Sequence, residues 1–391
     1  MRVISSPLTL ILAILLFTGC VERYYPSEDD VIIGTLVVNA HLTDKPGEQV
    51  ISISRSDKLL FPVYVPESGC SVMVEDQEGN TMEFMETIPG DYSADIPARF
   101  LEQGRLYRLL LMTPDGTRYE SEYSGLRSST PITSIYYELE SIPTSDPLNS
   151  VDGIRFYMDF EVDPDSSKYM RWELLETYEF HNPDYEDFIY GFDRQLKPIP
   201  DSLSDKQCWI TGFVNVIFTM NVGNLTSPEF KYLPLHHVSN ETQRLSFGYS
   251  LLVRQLSMDE SAFRYWDELK KNSQENSGLY SRQPSITPSN ICNCDDPEEK
   301  ILGFFSISGV TEKRIFVKDV EGLEKYNVLH CFPAPELPRF RYLQPQDLPV
   351  YASRVVFPDS LARFGTTTHE CVDCRVRKGS VGEPPEYWPT E

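Results

Sequence analysis

The chain has 391 residues, with 59 acidic side chains against 35 basic ones and a net charge of −24. That balance argues against a nucleic-acid partner, whose phosphates must be met by Lys and Arg, and against a basic patch as the means of holding an anionic membrane. With 22 Tyr, 21 Phe, 4 Trp and 29 Pro, the composition suits a β-rich, loop-bearing protein outside the cytoplasm, long enough for two domains of roughly 100 to 200 residues each.

The first element is a leader. Arg2 precedes an apolar run from Leu8 to Phe17, and Thr18-Gly19 leads into Cys20. The run is too short for a membrane span, which needs about 20 residues. It reads instead as a lipoprotein signal peptide, residues 1–19, cleaved before Cys20. Phe17 stands where such signals usually carry Leu. Lipidation of Cys20 then anchors the chain, since each buried CH₂ of an acyl chain contributes about 0.8 kcal/mol. Residues 20–31, with the acidic knot Ser27-Glu28-Asp29-Asp30, lack apolar periodicity and read as a lipidated tether.

Residues 32–130 show short alternating segments broken by turns. Thr35–Ala40, Gln49–Ser54 and Cys70–Glu75 have strand character; Gln77–Asn80 turns; Arg105–Thr113 meets Asp115-Gly116 and returns along Thr117–Ser121. The fold expected is all-β, opening with an immunoglobulin-like β-sandwich. Pro-bearing polar segments place the boundary near Pro131. A second β-rich domain, 131–391, follows. Strands expected at Gly153–Val162, Lys168–Phe180, Trp209–Met220 and Arg244–Leu256 imply a larger β-sandwich or open barrel, with His181–Gln207 as a long acidic loop. One short α-helix is expected near 258–272, started by a capping box at Ser257 and Glu260 and carrying Ala262, Phe263, Trp266 and Leu269 at helical spacing. Leu302–Ser308 and Lys313–Val317 are expected as two strands joined by a tight turn at Gly309-Val310, before a Cys-bearing C-terminal tail.

Seven cysteines follow Cys20. An oxidising compartment makes disulfides the expectation for Cys208, Cys292, Cys294, Cys331, Cys371 and Cys374, with Cys70 the one left unpaired and the connectivity open. A zinc site built from Cys292, Cys294, Cys371, Cys374 and His369 is the weaker reading, because C-x-C is not a usual zinc knuckle. No metal or cofactor is expected.

Catalytic signatures are missing: there is no G-x-S-x-G, H-E-x-x-H, P-loop or G-x-G-x-x-G. His369-Glu370 opens like a zincin motif, but Asp373 stands where the second His is needed. Carboxylates cluster at Asp184, Glu186 and Asp187 and at Asp295, Asp296, Glu298 and Glu299; among 59 acids these read as solvated loops before they read as a glycosidase or calcium site. Tyr178, Phe180, Tyr185, Phe188 and Tyr190 form a candidate ligand loop, aromatic rings interleaved with acids as peptide or sugar contact would use them.

Several motifs together carry a resemblance. They are Cys20, Gly90-x-Tyr92, Asp115-Gly116 with Tyr119-Glu120-Ser121, Cys208-Trp209, and Tyr249–Gln255. Tyr265-Trp266, Leu269-Lys270, Gly278, Gln283-Pro284-Ser285, Asn290, Asp296-Pro297, Leu302–Phe305 and Cys371-x-x-Cys374 complete the set. The chain resembles the Bacteroidetes outer-membrane lipoproteins catalogued as domain of unknown function 4249. The resemblance spans nearly the whole mature chain and brings no catalytic residues. It implies an outer-membrane location, lipid-anchored and facing the cell exterior, and an accessory role beside a TonB-dependent outer-membrane receptor. Acidic residues after the lipidated Cys resemble the surface-export signal of such proteins, and Asp201-Ser202-Leu203 and Asp359-Ser360-Leu361 match their O-glycosylation pattern at Ser202 and Ser360. The function expected is therefore a non-enzymatic accessory or ligand-binding partner of a transporter. The alternatives are a surface glycan or peptide hydrolase working through unrecognised carboxylates, and a structural or adhesive envelope protein.

Overall fold

A computed structural model describes residues 33–58, 62–144, 146, 149–163, 166–223, 225, 227–274, 287–324, 331–334, 342–356 and 362–389. The leader, Cys20, the tether, Gly278, Gln283-Pro284-Ser285 and Ser360 lie outside the described residues.

The chain is mostly β, as expected. Its first half holds β1 (Leu36–Thr43), β2 (Gly47–Arg55), β3 (Val65–Pro66), β4 (Ser71–Asp76), β5 (Thr81–Ile88), β6 (Asp91–Ile96), β7 (Leu106–Met112), β8 (Arg118–Ser121) and β9 (Ser124–Gly125). Alternation does the work here: β1 buries Leu36, Val38, Ala40 and Leu42, and β7 buries Tyr107, Leu109 and Leu111, because successive side chains point to opposite faces. β5 pairs with β4 on one side and β6 on the other. Strands from both sides of it share one core, so the unit is a sandwich.

The rest comprises β10 (Ile132–Pro143), β11 (Ser150–Glu161), β12 (Tyr169–His181), β13 (Glu186–Tyr190), β14 (Leu196–Pro198), β15 (Gln207–Phe213), β16 (Phe218–Asn221), β17 (Glu229–Ser239), β18 (Gly248–Met258), helix α1 (Glu260–Gln274), β19 (Ile291–Asn293), β20 (Leu302–Val317), β21 (Val350–Val356), β22 (Ala362–Thr367) and β23 (Ser380–Val381). The sheet β10-β11-β17 covers β20-β18-β12-β15. Ile154, Phe156, Phe160, Trp172, Leu174, Tyr249 and Val253 fill the space between them. This second unit is an open sandwich and not a closed barrel.

β20 joins the two units and overturns the turn expected at Gly309-Val310. Its first half lies parallel to β1, Val37 opposite Leu302 through Thr43 opposite Ser308. Its second half runs antiparallel to β18, from Ser257 opposite Gly309 to Tyr249 opposite Val317. Gly309 serves a close crossing: its N–H donates to the Arg127 carbonyl at 3.0 Å, and an added Cβ would stand 2.1 Å from that oxygen. β19 also pairs with β8, and Ile291, Ile301, Phe305 and Ile307 lie in the first core. The first sandwich is thus completed by residues that lie in sequence between strands of the second.

Other boundaries move for local reasons. The strand expected over Trp209–Met220 is interrupted, and both pieces, β15 and β16, pair with β12. The expected loop His181–Gln207 carries β13 and β14, which join β21 and β22 in a separate sheet. Its acids hid the alternation: Asp187 is inward-facing, paired with Lys206 at 2.5 Å and bonded by Ser353 Oγ at 2.5 Å. The capping box at Ser257 is also corrected. β18 continues to Met258, and Asp259 caps α1, its Oδ1 accepting from Ala262 N at 2.9 Å. Ser257 Oγ donates instead to the Arg127 carbonyl at the crossing. No described helix is long and apolar enough to cross a membrane.

Four of the six candidate disulfide cysteines pair, as Cys208–Cys374 and Cys331–Cys371. The C-x-x-C therefore feeds two different bridges, which removes its thiolates from any zinc site. Cys292 and Cys294 are corrected: both are free and exposed, and the half-buried Cys70 is free as well. Cys292 lies in β19 and Cys294 just past its end, and an extended run keeps residues two apart roughly 6–7 Å from each other, whereas a bridge needs Cβ atoms about 3.8 Å apart.

Candidate functional site

An open groove of about 780 Å³ runs along the outer face of the second sandwich. The period of β12 builds its floor. With Trp172, Leu174 and Glu176 turned inward, Thr177, Glu179 and His181 face outward. Register then sets Trp209 and Gly248 on either side of Glu179, and Gln207 beside His181. Glu179 Oε1 accepts from Gln207 Nε2 at 2.7 Å and lies 2.7 Å from His181 Nε2. The His181 ring stacks on Phe247 with centroids 3.6 Å apart.

The far wall comes from the C-terminal tail. Ser380 and Val381 pair with Ile210 and Trp209, adding β23 to the edge of β15. The chain then turns, Trp388 N donating to the Pro385 carbonyl at 2.8 Å. Trp388 stands edge-on to Trp209 (6.4 Å) and Phe316 (6.0 Å). An added Cβ at Gly248 would come within 2.9 Å of the Trp388 ring, so glycine is what admits the indole. Tyr387 Oη is hydrogen-bonded to Thr177 Oγ1 at 2.8 Å, and the Arg314 guanidinium lies 3.6 Å over its ring, a cation–π contact.

Beneath the groove, inside the sandwich, Tyr249 Oη donates to Glu176 Oε2 at 2.9 Å, and Arg244 and His236 lie 3.3 and 3.8 Å from the same carboxylate. Burial, then the Glu176 charge, holds the Tyr249 phenol well above its ordinary value. Burial and the Arg244 charge push His236 down to about 4. The phenol therefore remains a donor and the imidazole neutral near pH 7. Above it the groove offers flat apolar walls and a few fixed hydrogen-bonding groups, the make-up of a binding site.

The five aromatics of the candidate ligand loop do not line this groove. Phe180 and Tyr190 are buried, Phe180 against the Cys208–Cys374 bridge. Tyr178 packs on the sandwich core, Phe188 meets Phe364 edge-on at 4.9 Å, and Tyr185 is half-buried. Asp184 and Glu186 are exposed, Glu186 lying 3.4 Å from Arg354. Asp295 sits 3.2 Å from Arg118, and Glu299 accepts from Tyr119 Oη and Asn293 Nδ2. Ser202 lies exposed in the 3₁₀ turn Asp201–Leu203. Sequence reasoning passed over Phe247, Trp388 and the outward face of β12. The one signal for Trp388 was an aromatic pair set among prolines in an otherwise polar tail.

No curated protein matches the sequence. Among solved structures, a DUF4785 family protein from Legionella pneumophila overlaps 57% of this chain and 52% of its own at 9% identity, with a TM-score of 0.18. The collagen adhesin of S. aureus overlaps 73% of this chain and 95% of its own at 7% identity, with a TM-score of 0.11. The chain spans about half the length of the Legionella protein. The sequence model of the family described as Domain of unknown function (DUF4249) matches residues 22–314, and the chain belongs to that family.

Proposed function

We propose that the protein is a non-enzymatic, lipid-anchored accessory of a TonB-dependent outer-membrane transporter, displayed on the cell exterior, whose groove holds a ligand for that partnership. The observation that carries the binding role is the aromatic groove itself, with Trp209, Trp388, Phe316 and Phe247 around the Glu179–Gln207–His181 set. The Gly19-Cys20 step supports the anchor, and the −24 charge leaves acyl chains as the means of membrane attachment. Against a hydrolase stands the engagement of the clustered carboxylates: Asp187 is bound by Lys206 and Ser353, and Glu299 by Tyr119 and Asn293. The test is affinity purification of the tagged chain from detergent-solubilised outer membranes. A transporter barrel should accompany it and should be lost in Cys20→Ala. Purification without any barrel overturns the accessory role.

A further inference from the structure

We infer that the groove is a peptide site, occupied in the free protein by the chain's own segment Glu383–Pro389, and that its ligand in trans is a peptide presenting adjacent aromatic residues in a proline-bounded turn. The inference rests on the binding role proposed above and gives it a ligand class.

The segment follows β23, which anchors the chain to the edge of β15 beside the groove. It ends in a turn whose two aromatic side chains enter separate subsites. One is a slot for an indole, cleared by Gly248 and walled by Trp209 and Phe316. The other takes a phenol, with Thr177 Oγ1 2.8 Å and Thr211 Oγ1 3.5 Å from the Tyr387 hydroxyl and Arg314 over its ring.

Two observations separate this arrangement from a tail that merely completes the fold. The tail fills the site imperfectly: Trp209 is 5% exposed, yet among the described residues its Nε1–H has no hydrogen-bond partner. A buried donor left unmade is a standing penalty, which a ligand offering a carbonyl there removes. Tyr387 is also 39% exposed although both its subsite contacts are made, and open volume continues beside Trp388 toward Glu179, His181 and Phe247. The segment covers one end of a larger site.

The experiment uses the full chain and a fluorescein-labelled peptide with the sequence of residues 383–391, followed by fluorescence anisotropy. Tyr387→Ala/Trp388→Ala empties both subsites without touching the sheet and should bind the peptide. The wild type should bind it at least tenfold more weakly, because its own segment competes at high effective concentration. Adding Gly248→Val to the double variant should abolish binding. Since that change lies in a strand, at the first residue of β18, Thr177→Val serves as the milder companion, with a several-fold loss expected. Circular dichroism and melting temperature confirm the fold of each. Equal binding by wild type and double variant, no binding by a folded double variant, or binding of a neutral oligosaccharide in place of the peptide overturns the inference. Peptide binding without transporter recovery would remove the accessory role alone, and transporter recovery without peptide binding would remove only the ligand class.

Discussion

Replacing Gly309 by Ala tests whether the two sandwiches are joined as described. The new Cβ would stand 2.1 Å from the Arg127 carbonyl oxygen, 2.9 Å from Ser129 N and 3.0 Å from Ser257 Oγ, so the 127–129 linker must lift off β20. Lifting it removes the Gly309 N–H to Arg127 bond and the Ser257 hydroxyl bond to the same carbonyl, worth about 1 kcal/mol each. It also leaves a carbonyl partly desolvated, about 1–3 kcal/mol more. Alanine's better strand entropy returns about 0.5–1 kcal/mol. The net expectation is about 3 kcal/mol of destabilisation. Urea unfolding measures it, and Gly212→Ala is the control, since nothing lies within 4 Å of a Cβ there. Trp172, Trp209 and Trp388 lie in the second unit, whereas Trp266 packs against His41 of β1. With Trp266→Phe as the background, tryptophan fluorescence reports the second unit while circular dichroism reports both, and the two transitions should separate in Gly309→Ala. A Gly309→Ala chain within 0.5 kcal/mol of wild type, with coincident transitions, would refute the crossing.

Two further outcomes follow from the same structure. Cys208→Ser/Cys374→Ser opens a closure of 166 residues and Cys331→Ser/Cys371→Ser one of 40, for which chain entropy gives about 5 and 4 kcal/mol; melting temperatures should fall in that order, and a shift near zero for both would count against their structural role. His41, with Nδ1 2.9 Å from Ser306 Oγ and its ring 4.9 Å from Trp266, is pushed from 6.5 to about 3 by burial and then the Arg171 charge, and His236 from 6.5 to about 4. The unfolded chain therefore takes up these protons first as pH falls, so the stability they confer is present above pH 6.5 and is lost on acidification. Two such groups give a slope of up to about 2.7 kcal/mol per pH unit below pH 6. His41→Asn should halve the slope between pH 6 and 5, above the carboxylate range, and an unchanged slope would show that His41 protonates freely in the folded state.

What the sequence disclosed is what local periodicity can disclose. β1, β4 and β7 bury every second residue, and β12 does so as far as Glu176, and a period of two is visible without knowing the partner strand. Glycine was ambiguous for a physical reason: at Gly116, φ is +89° and a hairpin turn requires it, whereas Gly309 makes room for another backbone. Nothing within seven residues distinguishes these uses, because the Arg127 carbonyl arrives from 182 positions away. Residues 186–190 were hidden by a buried acid whose partners, Lys206 and Ser353, are equally remote. The groove failed to show for the same cause: Glu179, Trp209, Phe247, Phe316 and Trp388 meet only through sheet register and the tail. The cysteines marked the C-terminal third as cross-linked but left the split of Cys371 and Cys374 between two bridges to the tertiary structure.

That split bears on how the groove is held. Cys374 is tied to Cys208, next to the groove wall Trp209, and β23 fixes the chain again at Ser380-Val381. Only the residues beyond Gly382 are therefore at liberty to leave, and they start within a few residues of the subsites they fill. A tether this short holds its end at about millimolar effective concentration or higher. A peptide free in dilute solution competes poorly against that, whatever its intrinsic fit. A peptide presented by a partner already bound to the same outer face is itself intramolecular, and it meets the tail on equal terms. The bridge at Cys374 thus favours a site that opens to an assembled partner over one that samples the medium. This is the behaviour expected of the accessory role proposed above.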